Sequence, residues 1–329
     1  MNRKTATFCA VLAAALYALS APVSKLLLVR LPSTMMAALL YLGAGAGMAA
    51  VGAVQRRTGA AQREQPLTRR ELPYTLAMVL LDVAAPILLM LGIARTTAAN
   101  ASLLNNFEIV ATSLIALAVF REAISKRLWI GIALVTLSSM ILSVEDASSF
   151  SFSAGSVLVL MACVCWGFEN NCTRMLSAKN PLEIVVIKGL CSGGTSLCIA
   201  LALGERLTAA DAPAVIGALL LGFVAYGLSI FFYIYAQRGL GAARTSAYYA
   251  VAPFIGVALS MLLCGERPGA AFFIALAVMA AGTYFASVDP AKSGGSMRII
   301  CKYRTNLPNN APKWKKKEKS LQKKLAKCQ

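Results

Sequence analysis

Residues 97–122 read TAANASLLNNFEIVATSLIALAVFRE, and residues 241–267 read GAARTSAYYAVAPFIGVALSMLLCGER. Each opens on an Ala-Ala-x-x-Ser turn, runs through an apolar stretch and closes on an acidic residue beside arginine: Arg121-Glu122 in one, Glu266-Arg267 in the other. A bilayer core takes about 20 mainly apolar residues to cross, so each stretch reads as a membrane helix. An ungapped offset of 144 pairs Ala98-Ala99 with Ala242-Ala243, Ser102 with Ser246 and Glu122 with Glu266. Only seven of the 52 positions in 92–143 match their partners in 236–287, so the shared layout, not identity, carries the comparison. An offset of 149 likewise sets Tyr17-Ala18 on Trp166-Gly167 and Lys25 on Arg174.

Working outward, the whole chain has this character. It is 58% apolar and 14% charged, with no histidine, far from the roughly 25% charged content of soluble domains. Ten apolar stretches lie near 5–29, 33–54, 72–94, 97–120, 127–144, 153–175, 181–203, 212–236, 243–264 and 270–287. Arg3 and Lys4 before the first stretch also fit a cleaved signal peptide; its length, with Pro22 and Lys25 inside it, favours a retained helix. With the amino terminus inside and the tail set aside, fourteen basic residues fall on cytoplasmic segments and five on the opposite side, which orients both termini to the cytoplasm. Seven of the nine cysteines lie in or beside apolar stretches, where a thiol behaves as a small apolar group. Cys163-Val164-Cys165 lacks zinc-ligand spacing, so neither a metal nor another cofactor is expected.

Five helices per half is an odd number, so the second copy must enter the membrane from the opposite face. The expected fold is all-α and polytopic: ten transmembrane helices in two inverted five-helix repeats, 1–147 and 148–287, followed by a tail at 288–329. Transporters with such repeats hold their substrate at the repeat interface. The aromatic-small pairs Tyr17-Ala18 and Trp166-Gly167, the Ala-Ala-x-x-Ser starts and the Glu122 and Glu266 helix ends resemble the paired EamA units of the drug/metabolite transporter superfamily, over about residues 5–287. That resemblance implies export of a metabolite, amino acid or drug-like compound across a bacterial plasma membrane. It also implies proline in the fourth and ninth helices; Pro253 fits, but the first half has Glu108-Ile109 at that place.

Charged side chains at membrane depth cost several kcal/mol and mark functional candidates. Asp82, Glu108, Glu169 and Lys188 qualify. Asn105, Glu108 and Thr112 would share a helical face, and low dielectric penalises an ionised carboxylate, so Glu108 is the first choice for a titrating or cation-binding group, with a structural carboxyl as the alternative. Trp166, Glu169, Asn170 and Thr173 form a second polar face. Glu169 either pairs with Lys188, lowering the cost of both charges, or touches solute. Asp82 precedes Pro86, which reads as a hinge or a packed kink. The resemblance implies that Tyr17, Trp166, Tyr248 and Tyr249 fall in helices that line the central cavity; for Tyr249 an interfacial anchor or packing role is favoured, and Tyr226, Phe231, Phe232, Tyr233 and Tyr235 read as packing and interface residues. Gly43-x-x-x-Gly47 reads as a close helix crossing.

Residues 288–329 hold twelve lysines or arginines against Asp289 and Glu318, which accounts for +10 of the +18 net charge. A solvated tail or contact with anionic lipid fits better than nucleic acid, which is not an expected partner. No Gly-x-x-x-x-Gly-Lys-Ser/Thr loop is present, so ATP-driven transport by this chain is not expected. The leading function is a secondary transporter for a small organic solute, with proton coupling through Glu108. Its rivals are a channel, a non-transporting sensor or assembly partner, and an intramembrane enzyme using Asp82, Glu108 and Glu169 as acid and base groups.

Overall fold

The computed structural model describes residues 3–58, 65, 67–120, 124–146, 151–176, 179–240, 245 and 248–287. Ten helical segments occupy the ten apolar stretches: α1 (Lys4–Leu27), α2 (Ser33–Arg57), α3 (Arg69–Arg95), α4 (Ala98–Val119), α5 (Lys126–Ser143), α6 (Ala154–Leu176), α7 (Pro181–Ala202), α8 (Ala209–Tyr233), α9 (Ala252–Leu263) and α10 (Ala270–Ser287). Seven of these, all but α6, α9 and α10, are long and apolar enough to cross a membrane by length and composition. The α8 helix continues to Leu240. A two-stranded antiparallel ribbon, β1 (Val144–Asp146) with β2 (Ser151–Phe152), links the two halves. The basic tail, Arg121-Glu122 and the Ala242-Ala243-x-x-Ser246 motif lie outside the described residues.

Local chemistry starts the helices. The Thr97 hydroxyl accepts from Asn100 N at 3.1 Å, Ser125 Oγ from Leu128 N at 3.2 Å and Asn180 Oδ1 from Leu182 N at 3.0 Å, each satisfying an amide that the helix leaves free. At α3 and α8 a capping box does this work: Thr68 with Glu71, and Thr208 with Asp211. Both boxes sit in one motif, Leu67-Thr68-x-x-Glu71-x-Pro73 and Leu207-Thr208-x-x-Asp211-x-Pro213, at an offset of 140. The proline in each falls in the first helical turn, where its missing N–H is not needed.

The packing repeats as the sequence does. The closest helix pairs include α3–α6, α1–α8, α4–α6, α1–α9, α5–α10, α2–α7 and α4–α9. Exchanging the two halves turns α3–α6 into α8–α1 and α4–α6 into α9–α1, and returns the last three pairs to themselves. Gly43 does lie at a crossing: a β-carbon there would fall 2.1 Å from the Leu219 carbonyl oxygen of α8. The outer surface presents large apolar side chains such as Phe8, Leu80, Leu262 and Ile274, an arrangement suited to lipid and not to water. Polar and charged groups are drawn inward instead: Asp82 is wholly buried and Glu169 is 2% exposed.

Candidate functional site

Three of the four intramembrane charges form one network. Lys188 Nζ lies 3.1 Å from Asp82 Oδ2 and 3.0 Å from Glu169 Oε1. A π-helical turn over Lys188–Ser192 interrupts α7 at this residue, and such turns are frequent at functional sites. Asp82 Oδ1 accepts from the Tyr41 hydroxyl at 2.9 Å, and Glu169 also accepts from Thr173 Oγ1. Asp82 and Tyr41 belong to the first half, Glu169 and Lys188 to the second, so the network ties the halves together. Pro86 does not break α3, which runs as one helix from Leu72 to Arg95.

Glu108, the fourth charge, takes a separate partner. Its Oε1 accepts from Asn170 Nδ2 at 2.5 Å, and the same amide lies 3.3 Å from Thr112 Oγ1. Asn105 does not continue this stripe as its spacing suggested. The α4 helix breaks at Asn105–Asn106, where Asn106 N reaches back only to Leu103 O at 3.2 Å and Glu108 N only to Asn105 O at 3.1 Å. The break turns Asn105 toward α1 and α9. It stands close to the equivalent place in the second half, where a turn at residues 250–251 leads into the start of α9 just before Pro253. The paired asparagines thus interrupt α4 where, in the second half, proline follows the turn. Side chains that compete with the backbone for hydrogen bonds can open a helix without proline.

A narrow cavity lies where the breaks in α1 and α4 meet the start of α9. It is lined by Tyr17, Ala18 and Ser20 of α1, Ser102 and Asn105 of α4, and Pro253 and Gly256 of α9, and has space for about one water molecule. The α1 helix breaks at Leu19, between Ala18 and Ser20, and Pro22 has no N–H to give the Ala18 carbonyl. Ser102 Oγ and Asn105 Oδ1 are buried here with no hydrogen bond to another protein group, which leaves both free to bond a small molecule in the cavity.

A run of tyrosine rings joins cavity and charge network. Tyr41 packs on Tyr226 at 5.7 Å between centroids, Tyr226 on Tyr17 at 5.9 Å, Tyr17 on Tyr249 at 5.7 Å and Tyr249 on Tyr233 at 4.9 Å. Tyr226 sits in a second π-helical turn, Gly222–Leu228, and its hydroxyl lies 2.8 Å from Ser20 Oγ. Tyr249, Tyr226 and Tyr233 thus pack in one run with Tyr17, which lines the cavity. Tyr248 is 38% exposed. Trp166 is packed in the hydrophobic core with Tyr41 and Tyr226. The signal that could have singled out Tyr249 is its alignment, at the offset of 144, with the helix-breaking Asn105.

Two further carboxylates cross between halves. Glu266, at the end of α9, accepts from Ala98 N at 2.6 Å and Ala99 N at 2.8 Å, the first free amides of α4. Lys25 holds the other side of that turn, donating to Ile93 O at 2.6 Å and Thr96 O at 2.6 Å. Glu205 accepts from Met35 N at 2.7 Å at the start of α2. The small-residue opening of α4 thus lets a carboxylate from the other half reach its backbone.

The model of the EamA-like transporter family matches this chain twice, over residues 4–144 and 153–288. An uncharacterized transporter of Methanothermobacter thermautotrophicus (strain ATCC 29096 / DSM 1053 / JCM 10044 / NBRC 100330 / Delta H) is 28% identical over 198 residues, covering 58% of this chain. The match spans 57% of that relative's length. A protein of known crystal structure superimposes with a TM-score of 0.61 at 18% identity, over 87% of this chain and 96% of its own, and so shares the fold. With two matches that together cover nearly all the described residues, this chain belongs to the EamA-like transporter family.

Proposed function

We propose that this chain is a secondary carrier that moves a small organic solute across the membrane by alternating access. The observation that carries the proposal is the cavity formed where the breaks in α1 and α4 meet the start of α9, with buried polar side chains and tyrosine rings around it. Interrupted helices present unpaired backbone groups to a ligand only where protein covers them. In this proposal the solute occupies the enlarged cavity, and the Asp82–Lys188–Glu169 network is remade as one half, residues 1–147, rocks against the other, residues 148–287. Glu108, with Asn170 as its neighbour, serves as the proton-exchanging group. Family resemblance supports the export direction and a bacterial plasma membrane, and the excess of lysine and arginine on alternate loops supports cytoplasmic termini. The chain has no catalytic role.

Counterflow in proteoliposomes tests the carrier reading. Vesicles preloaded with a pooled set of unlabelled amino acids, amines and metabolites should take up labelled members of the set faster than empty vesicles, with saturation. Asn105→Leu, which replaces a cavity acceptor by an apolar group, should reduce that exchange by about tenfold or more. Flux that grows linearly with concentration and ignores the preload would point to a channel. Binding without flux would point to a sensor.

A further inference from the structure

The tripeptide Gly-Glu-Arg occurs twice, at 204–206 just after α7 and at 265–267 just after α9. Both glycines adopt the left-handed backbone, with φ of +79° at Gly204 and +65° at Gly265, a conformation that suits glycine and ends a helix. In each case the glutamate that follows reaches a helix of the first half. Glu205 accepts from Met35 N at 2.7 Å, at the start of α2. Glu266 accepts from Ala98 N at 2.6 Å and Ala99 N at 2.8 Å, at the start of α4. Each hook thus joins one of the helix pairs, α2–α7 and α4–α9, that straddle the two halves. Both glutamates are partly buried, so water can solvate either carboxylate once it leaves.

Successive spans cross the membrane in opposite directions, so the starts of α2 and α4 and the ends of α7 and α9 share the face opposite the amino terminus. On α4, Ala98 stands about one turn beyond Ser102, and on α1, Lys25 stands about one turn beyond Ala21; Ser102 and Ala21 both line the cavity. Lys25 holds Ile93 O and Thr96 O of the corner that leads into α4. Cys264, two residues before Glu266, lies 3.6 Å from Pro22 O and ties α9 to α1. The three cavity helices are therefore stitched together between the cavity and this face. At the other face, Leu67 N donates to Glu183 Oε2 at 3.2 Å and Lys179 pairs with Glu71 at 3.4 Å, contacts that join the α2–α3 and α6–α7 corners and not the cavity helices.

We infer that the two Gly-Glu-Arg hooks are the gate on the face opposite the amino terminus: the cavity opens there only when the Glu266 and Glu205 carboxylates leave the starts of α4 and α2. This rests on the carrier reading above, which needs the halves to part at each face in turn. Rocking one half against the other draws the end of α9 from the start of α4 and the end of α7 from the start of α2 together. Opening at this face breaks both hooks, and opening at the other face leaves them made.

The gate is read by the rate at which an impermeant maleimide labels Ser102→Cys from each face, in the full chain freed of its native cysteines and with vesicle orientation fixed by protease access to the amino terminus. Glu205→Ala combined with Glu266→Ala should raise labelling from the gated face by about tenfold or more, because the lost charge-assisted bonds favour the state that lacks them. Each single change should have a smaller effect, the two combining as separate sites do. Labelling from the amino-terminal face should stay level or fall, since the two openings compete for the same molecules; a variant that merely unfolds gains labelling from both. Glu183→Ala, at the other face, should not raise labelling from the gated face. An unchanged rate at the gated face in the double variant, an equal rise from both faces, or the same rise in Glu183→Ala would overturn the inference. Labelling from both faces at rates that the pooled solutes alter, with the hook variants inert, would keep the carrier reading and remove the gate. A gated face that opens in the hook variants while no solute alters either rate would keep the gate and remove the carrier reading.

Discussion

Lys188→Met should destabilise the protein by about 3–5 kcal/mol, because it leaves the Asp82 and Glu169 carboxylates buried with their shared cation gone. Methionine has nearly the length of lysine and is apolar, so lost packing contributes little. The triple variant Lys188→Met, Asp82→Asn, Glu169→Gln removes the charges together and should recover much of the loss, since a buried ion network is itself close to neutral in stability against uncharged groups of similar size. Melting of the detergent-solubilised protein checks both: the single variant should melt well below the native chain and the triple variant between them. Were the single and triple variants to melt together, the contact between Lys188 and the two carboxylates would not be energetically coupled. The transport consequence runs differently, because the triple variant restores stability without restoring the charges that link the two halves.

Glu266→Ala should cost about 2–4 kcal/mol, through loss of two charge-assisted hydrogen bonds that leaves the Ala98 and Ala99 amides of α4 unpaired. The Ala98 and Ala99 amides are buried, so water does not readily replace the carboxylate. The positive end of the helix dipole adds to the effect. Hydrogen exchange reads this locally: amides in the first turn of α4 should lose protection, while those in the first turn of α2, capped by Glu205, should keep theirs. Glu266→Gln, which retains one acceptor, should fall between native and alanine. Unchanged protection at Ala98 and Ala99 in Glu266→Ala would show that the cap does not hold the turn. Since Lys25 grips the same turn from its other side, the α3–α4 corner is clamped by one residue from each half.

The parts of this fold that were legible in the sequence are those decided by the solvent. Ten apolar stretches need lipid, and an odd number of helices per half needs inversion, whatever the details of packing. The proximity of Glu169 and Lys188 was also within reach, because they lie on consecutive helices and each lowers the other's cost. Asp82 as the second partner of Lys188 was not, since 106 positions separate them in sequence and no periodicity relates α3 to α7. The break in α4 was hidden for a different reason. Proline was the expected mark, but Asn105-Asn106 opens the helix, and the consequence is that Asn105 and Glu108 face different neighbours. Tyr248 and Tyr249 differ by about 100° on a helix, and sequence alone does not say which of the two points inward. The Leu-Thr-x-x-acid-x-Pro starts of α3 and α8 were legible, and they are a sharper trace of the repeat than the offset of 144.

A carrier requires that the cavity at Ser102 and Asn105 open to each side of the membrane in turn. The direct measurement is labelling of Ser102→Cys, in a chain whose nine native cysteines are replaced, by a membrane-impermeant maleimide applied separately from either side of sealed vesicles. A carrier predicts that the site is labelled from both sides over time, and that preloading the vesicles with a transported solute shifts the ratio of the two rates, because solute changes how the protein divides its time between the two openings. Labelling from neither side, or from both sides at rates that no solute alters, would contradict the account.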